Sequence, residues 1–457
     1  MKGRRATAVV VAIATLVAAG AALGGPPGKW TPVSKGQLDA SGQAGLARTP
    51  DGVLHIVWQR RAARTSALWQ TRAGADGRSL GSEPIAPGLS DVGSPALTTG
   101  SDGTLRAFFF VPTEDGTAAD LRVTSAPSAG GWTVGADALA QATGPAVPTV
   151  GAAAARDGTP LAAWSTGSQI RYRYGVDPAN EGSTVGVGGC CASGVQPGVD
   201  QMTGKAYIAW ASSAPGSTGV FVQAVDRAGP TRPKVFATGS ATKARNAAVL
   251  PDGRVALTAR PGAPGVFLAY TSGFPKVRAI YVLRAGARTL ILTVKAPGAA
   301  HVALAAGPQG RLWLLWSLDG TIFAARTNRA ASRLGAVRKI PIRRGSKAVD
   351  QLQGDGSSGP LDLVASLETR GAASLWHQQV LPGLSLEITA TTATDGPTRY
   401  VFHVTDAGEP IANAAVKVGK QSLTTGVSGT VTLVTSDRPA SATASKLGYA
   451  PATTPIP

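Results

Sequence analysis

Acidic and sulfur-bearing residues are scarce in this 457-residue chain: 26 Asp and Glu stand against 44 Lys and Arg, with two cysteines, two methionines and four histidines. Each shortage excludes something. His55, His301, His377 and His403 show no metal-ligand spacing, and His55 falls inside an apolar run where packing accounts for it, so no metal and no cofactor is expected. A glycosidase needs two carboxylates about 5 to 10 Å apart across a sugar. Asp51, Asp102, Asp157 and Asp252 are accounted for by turns, which leaves Asp91, Glu114, Asp115, Asp200, Asp350 and Glu368, dispersed enough to read as solvated loop charges. Helical periodicity is nearly absent. After Leu23 no apolar stretch approaches the ~20 residues that span a bilayer.

The start of the chain is basic, with Lys2, Arg4 and Arg5, followed by an Ala- and Val-rich run from Ala6 to Leu23 and then GGPPGKW. A basic start, an apolar core and small residues near Ala21 or Gly24 are the parts of a signal peptide over residues 1–24, with a retained anchor as the alternative. No lipobox cysteine stands there. The expectation is a secreted protein with no membrane span after cleavage. Its net charge of +18, or +15 without the three signal-peptide cations, favours anionic glycan, cell-wall polymer or lipid head groups, without a specific nucleic-acid partner. Because the cations are scattered, a solvated basic surface explains them equally well.

What is present is a repeat near fifty residues long. An Asp-Gly turn or its equivalent precedes an apolar strand that usually has an aromatic near its end: Asp51-Gly52 then VLHIVW, Asp102-Gly103 then TLRAFFF, Asp157-Gly158 then TPLAAW. Thr203-Gly204 then KAYIAW, Asp252-Gly253 then RVALTA, Gln309-Gly310 then RLWLLW, and Asp355-Gly356 leading into LDLVAS continue the series. Asp-Gly supplies the positive-φ positions of a tight hairpin. With a strand before each turn and two after it, the repeat has the four antiparallel strands of a propeller blade. Seven blades are expected, six being the alternative count and a solenoid the competing architecture. The seventh copy lacks an outer strand, and KWTPVS at Lys29 to Ser34 fits that place, closing the ring over residues 29–381.

The strand order, and LWQTRAGADGRSLGSEPIA from Leu68 to Ala86, resemble the repeats of sialidase-like (BNR or Asp-box) propellers. No copy reproduces S-x-D-x-G-x-T-W, although ADGRSLG at Ala75 to Gly81 and RAGPTRP at Arg227 to Pro233 keep its turn. The arginine triad, the Tyr and Glu pair and the Asp that the resemblance would imply for catalysis have no counterpart, so no catalytic residue transfers. Over residues 384–457, GEPIANAAVKV, TTGVSGTVTL and ATASKLGYAPA resemble the Ig-like or carboxypeptidase-regulatory-like domains of bacterial surface proteins, which implies a spacer or adhesion module. No sortase signal follows Pro457, so covalent attachment to a cell wall is not expected.

In a propeller, the loops from an outer strand to the next inner strand and those from the second strand to the third share one face. Arg60, Arg61, Arg64, Lys243, Arg245, Arg260, Lys347 and Arg370 are expected there, and guanidinium forks suit carboxylate or sulfate oxygens. The neighbouring Cys190 and Cys191 are expected to oxidise in an exported chain, as a vicinal disulfide that staples a turn or stacks on a sugar, with pairing between chains also open. The expected function is noncatalytic binding of an extracellular ligand, an acidic glycan or cell-surface polymer. The alternatives are a divergent sialidase-like glycoside hydrolase, which needs a carboxylate pair at the channel, and a protein-binding scaffold, which needs an exposed apolar patch.

Overall fold

The computed structural model describes residues 28–34, 43–62, 65–89, 91–127, 131–135, 137–144, 147–186, 191–215, 218–231, 236–237, 248–273, 276–287, 289–369, 371–392 and 396–456. The proposed signal segment therefore lies outside the described residues. Among the described residues, every regular element apart from one short 3-10 turn at Pro308–Gly310 is a strand.

Short apolar runs between turn residues pair in chain order. In sheet I the strands Gly45–Arg48, Leu54–Ala62, Thr65–Ala73 and Ser79–Leu89 lie side by side and antiparallel. The first turn is held by Asp51, whose Oδ1 accepts from the Thr49 hydroxyl at 2.5 Å and from the Val53 amide at 3.2 Å, while Gly52 takes φ 86°. Asp102 and Asp157 repeat the device, accepting from the amides of Thr104 at 2.9 Å and Thr159 at 3.0 Å. A second repeated feature pairs aromatics directly across the second and third strands: Trp58 with Trp69, Trp210 with Phe221, Tyr270 with Tyr281 and Trp316 with Phe323, with ring centroids 5.5 to 6.0 Å apart.

The first strands of sheets I to VII are Gly45–Arg48, Ala96–Thr99, Val150–Ala154, Ala192–Val199, Ala256–Ala259, Ala300–Ala306 and Ala348–Asp355. Each packs against the next, and the last returns to the first. Such a cycle of antiparallel sheets, each joined to the next through its innermost strand, is a β-propeller. The apolar clusters fill the seams: Trp58, Trp164, Trp210 and Trp313 are at most 1% exposed.

Sheet VII is completed from the other end of the chain. Thr31 and Pro32 pair with His377 and Trp376 of strand Ala372–Val380, the Val33 amide donates to the Leu375 carbonyl at 2.9 Å, and Ser34 Oγ accepts from the Leu375 amide at 3.0 Å. The KWTPVS segment thus occupies the outer place in that sheet.

One repeat departs from the expected register. In sheet V the hairpin turn is residues 260–265, joining Ala256–Ala259 to Val266–Ser272, so RVALTA supplies a first strand rather than a second. Asp252-Gly253 precedes that strand instead of making the hairpin, because the Pro- and Gly-rich RPGAPG segment takes over the turn.

Beyond the ring, Ser385–Thr392, Thr398–Asp406, Glu409–Pro410 and Thr430–Thr435 form one sheet, and Gln421–Thr424, Ala415–Val418, Ser441–Ser445 and Ala452–Pro455 another. They share a core in which Phe402, Val404, Ala414 and Val416 are fully buried. Arg311 and Arg326 of sheet VI reach this unit, Arg311 donating to Glu409 and Arg326 to Asp406, with the Arg326 guanidinium also 5.4 Å from the Tyr449 ring.

Candidate functional site

The links between sheets and the second-to-third-strand turns gather on one face, here called upper, and the Asp51, Asp102 and Asp157 turns on the other. Residues 248–255, which lead into sheet V, enter the ring's mouth. The Val249 amide donates to the Thr271 carbonyl and the Val255 amide to the Gly194 carbonyl, both at 2.8 Å. Close approach dictates two glycines here. A Cβ on Gly194, which takes φ 64°, would lie 2.4 Å from the Gly253 carbonyl oxygen, and one on Gly253 would lie 2.5 Å from Gln43 Nε2 and 2.6 Å from Gln351 Oε1.

Between these contacts Arg254 ties sheets together. Its guanidinium donates to the carbonyls of Val150 at 2.9 Å, Ala44 at 3.2 Å, Ser94 at 3.4 Å and Pro95 at 2.7 Å, and its amide donates to Gln43 Oε1 at 3.0 Å. Burial pushes its pKa down to about 10, so the side chain remains a cation at neutral pH. Gln43 Nε2 donates in turn to Gln351 Oε1 at 2.9 Å.

A cavity of about 380 Å³ opens at this place, and its wall includes Gln43, Asp252, Arg254, Tyr270, His301 and Gln351. Two of its strands are irregular. The register of Ala300–Ala306 slips between Ala300 and Ala303, leaving His301 in a bulge at φ 47°, and Ala348–Asp355 slips between Val349 and Gln351, leaving Asp350 in another. Bulges re-aim side chains and collect next to functional sites. Burial lowers the His301 pKa below that of a free imidazole, opposed by the charges of Asp252 and Asp350. Burial raises the Asp350 pKa above the usual carboxylate value; a hydrogen bond from Ser366 Oγ at 3.3 Å opposes the rise, the Glu368 charge adds to it, and His301 opposes it. The cavity wall itself therefore offers the His301 imidazole, the Asp252 carboxylate and the side-chain amides of Gln43 and Gln351, a set able to bind hydroxyls, while Asp350 lies on the neighbouring strand outside that wall. Among the described residues no group of three or more His, Cys, Asp or Glu suits a metal ion.

The cationic residues expected at the face do not converge on this cavity. Arg60 lies near the upper end of its strand, with its guanidinium 5.0 Å from the Trp69 ring centroid. Lys347 is exposed beside Glu368, its amide donating to the Glu368 carbonyl at 2.8 Å. Arg260 is corrected to the opposite face: it begins the sheet V hairpin turn, its Nη2 donates to the Arg329 carbonyl at 2.6 Å, and its guanidinium sits 5.5 Å from the Phe267 ring. Arg64, Lys243, Arg245 and Arg370 lie outside the described residues, as does the side chain of Arg61.

Asp200 also belongs to the opposite face, where it accepts from the amides of Met202 and Gly265, both at 2.9 Å. Asp115 stays on the upper face but is occupied in its turn, with Thr113 Oγ1 at 2.6 Å and Thr117 Oγ1 at 2.7 Å, and hydrogen bonds from Thr113 and Thr117 bring its pKa down to about 2. Cys191 is exposed, at φ 73°, and disulfide-bonded; Cys190 lies outside the described residues.

Arg254, Gln43 and Gln351 were not singled out from the sequence, and Asp252 was assigned to a hairpin. The available signal was RPGAPG, a complete turn in its own right that leaves Asp252-Gly253-Arg254 free for another task.

No family model matches the chain, and no curated protein matches it. Solved structures do match. The polysaccharide lyase Uly1 shares 12% identity at TM-score 0.48 over 76% of this chain and 92% of its own. The GH93 alpha-L-arabinofuranosidase of Fusarium graminearum shares 11% identity at TM-score 0.43 over 77% and 97%. The Dos1 propeller shares 11% identity at TM-score 0.39 over 84% and 93%. The ring rests on its own strand pairing, and no site residue is taken from these proteins.

Proposed function

We propose that the chain is an exported, seven-bladed propeller of sialidase-like repeat type that binds an extracellular saccharide at the upper mouth of the ring, with an Ig-like tail as spacer or adhesion module. The observation that carries this reading is the mouth cavity, with Asp252, Gln43, Gln351, Tyr270 and His301 in its wall. Carboxylate and amide groups suit the donor and acceptor pattern of sugar hydroxyls, and a concave site with a few convergent polar groups is the usual form of a small-molecule site. The carboxylates near the cavity favour a neutral saccharide over an anionic one, a revision of the acidic glycan expected from net charge alone. Export is supported by the basic and apolar start of the chain, and the ring and tail boundaries near residues 381 and 384 by where the pairing changes.

The test is calorimetry of the chain from residue 25 onward against neutral and acidic oligosaccharides, with Asp252→Ala and Gln351→Ala variants. Neutral oligosaccharides are expected to bind, and each variant to weaken binding about tenfold, as for loss of one hydrogen bond to a charged or buried partner. Binding of acidic oligosaccharides alone, abolished by salt, would return the ligand to the basic rim.

A further inference from the structure

The seam between sheets I and II is apolar over part of its length and polar at its lower end, and strand pairing decides where the change falls. His55 stands opposite Arg72, Gln70 stands opposite Glu83, and Arg72 and Gln70 are two positions apart on one strand. Alternation therefore sets all four on the same face of sheet I. Val57 and Leu68, next along the same rows, share that face and pack with Leu105 and Phe109 of sheet II. At the polar end the seam opens into a cleft of about 570 Å³, whose wall includes His55, Gln70, Arg72, Glu83, Pro84 and Trp132.

Sheet II supplies the aromatic ring. Among the described residues the other sheets of the ring have four strands, whereas the outer edge of sheet II is split in two. Ala140–Thr143 pairs with residues 118–121 at one end, and the short strand Thr133–Val134 pairs with Thr124 and Ser125 at the other. This added strand carries Trp132 to the seam, where its Nε1 donates to Gln70 Oε1 at 2.6 Å. His55 is held as well. Thr49 Oγ1 donates to Asp51 Oδ1 at 2.5 Å, so its 3.1 Å contact with His55 Nε2 is a hydrogen bond from the imidazole. Arg72 and Glu83 are placed differently: their side chains are 44% and 50% exposed and their nearest charged atoms are 3.9 Å apart. That is longer than a hydrogen bond, so a guanidinium and a carboxylate stand side by side in the wall with donors and acceptors to offer.

We propose that this cleft is a second saccharide site, taking one unit of a neutral glycan. It lies beside the Asp51 turn, on the face opposite the mouth, and shares no wall residue with the mouth cavity, so it stands without that reading. A sugar ring presents C–H groups on its faces and hydroxyls around its rim. Trp132 and Pro84 give apolar surface to a face. Adjacent hydroxyls are bridged by Arg72 as donor and Glu83 as acceptor, since a hydroxyl plays either part. The two opposite charges cancel, and Glu83 repels a carboxylate or sulfate, which favours a neutral unit over an anionic one. A concave, mainly apolar wall with a few convergent polar groups is the usual form of such a site.

The experiment is calorimetry of the chain from residue 25 onward with xylohexaose, mannohexaose and cellohexaose, on the wild type and on Trp132→Ala, Glu83→Gln and the mouth variant Asp252→Ala. Glu83→Gln alters a half-exposed side chain with little change of shape, so it separates lost binding from lost folding if Trp132→Ala is unstable. At least one hexasaccharide is expected to bind, with a component that weakens about tenfold or more in Trp132→Ala and in Glu83→Gln and persists in Asp252→Ala. Binding lost in Asp252→Ala but intact in both cleft variants overturns the cleft and leaves the mouth standing. Binding weakened by the cleft variants alone supports the cleft and overturns the mouth. Binding that falls in Trp132→Ala but is intact in Glu83→Gln removes the Arg72 and Glu83 bridge and overturns the proposal, and absence of binding by all three hexasaccharides overturns both sites.

Discussion

His377 Nε2 and Asp362 Oδ1 stand 2.8 Å apart inside sheet VII, and Asp362 has no solvent exposure at all. The pair is the middle of a longer chain of contacts. Thr31 Oγ1 of the N-terminal strand lies 3.5 Å from His377 Nδ1, Gln379 Nε2 donates to Asp362 Oδ1 at 3.1 Å, and Asp362 Oδ2 accepts from Arg48 of sheet I, which also meets Asp355 at 2.9 Å. Burial acts against the Arg48 charge, but Asp362 and Asp355, by their fields and hydrogen bonds, carry its pKa above the ordinary value. The ring's seam is thus held by buried ions as well as by apolar packing.

Asp362→Ala should therefore be severe. It leaves the Arg48 side chain, 7% exposed, without its buried partner, and breaking one side of such a pair costs about 3 to 5 kcal/mol. Urea unfolding should show a lower midpoint by that amount, with Asp362→Asn between the two because it keeps a hydrogen-bond acceptor. A change below ~0.5 kcal/mol for Asp362→Ala would mean that the seam depends on apolar packing alone.

Removing residues 28–34 should expose the edge of strand Ala372–Val380, which the Thr31–Pro32 strand covers. An uncovered edge recruits other chains. The expected result is a lower unfolding temperature together with soluble aggregates in light scattering, and a monomer of unchanged stability would contradict the closure.

Arg254→Met retains most of the side-chain volume but withdraws donors from four carbonyls. Each buried group left unpaired costs about 1 to 3 kcal/mol, so a loss of at least ~2 kcal/mol is expected by urea unfolding. Arg254→Lys should restore only part, since an ammonium lacks the planar fork that reaches several acceptors.

The pH dependence of stability should expose the two bulged residues, Asp350 and His301. The Asp350 pKa is raised in the folded state, so its contribution is fully present below the unfolded value of 3.8 and is lost as pH rises through the folded value. Asp350→Asn cannot ionise, and its melting temperature should exceed that of the wild type by about 1 to 2 °C at pH 7, with the gain vanishing near pH 4. For His301 the pKa is lowered, so the native state loses stability as pH falls below 6.5 toward the folded value, and His301→Asn should be the more acid-resistant protein. A gain for Asp350→Asn that is constant with pH would separate the effect from ionisation.

The ring was legible because its determinants are local and repeated. Asp51, Asp102 and Asp157 close hairpins through their own side chains, and the buried aromatics Trp58, Phe109 and Trp164 recur at the same distance beyond those turns. The outer place of the N-terminal strand was legible by elimination, since the last repeat was one strand short. The site was much less legible. Asp350 and Glu368 could be named as acids free of turns, but the bulges that hold His301 and Asp350 depend on two register slips that no alternation of apolar residues announces. Arg254 was hidden because Asp252-Gly253 has the form of a hairpin while the chain turns eight residues later. Counting cations pointed at the face but not at the mouth, since Arg260 is drawn to Phe267 and the Arg329 carbonyl on the other side.

The closing strand also sets the order in which this molecule can be made. Thr31 is among the first described residues to leave the ribosome, and its partner His377 follows 346 positions later. Until then the outer strand of sheet VII has no strand to pair with and sheet I no finished neighbour, so the early repeats wait with open edges. Contacts of such long separation slow folding and lengthen the time spent exposed to other chains. Completion is a late, single event: the chain becomes a ring only when both of its ends are present together, and a synthesis halted at any point before residue 372 leaves an open arc.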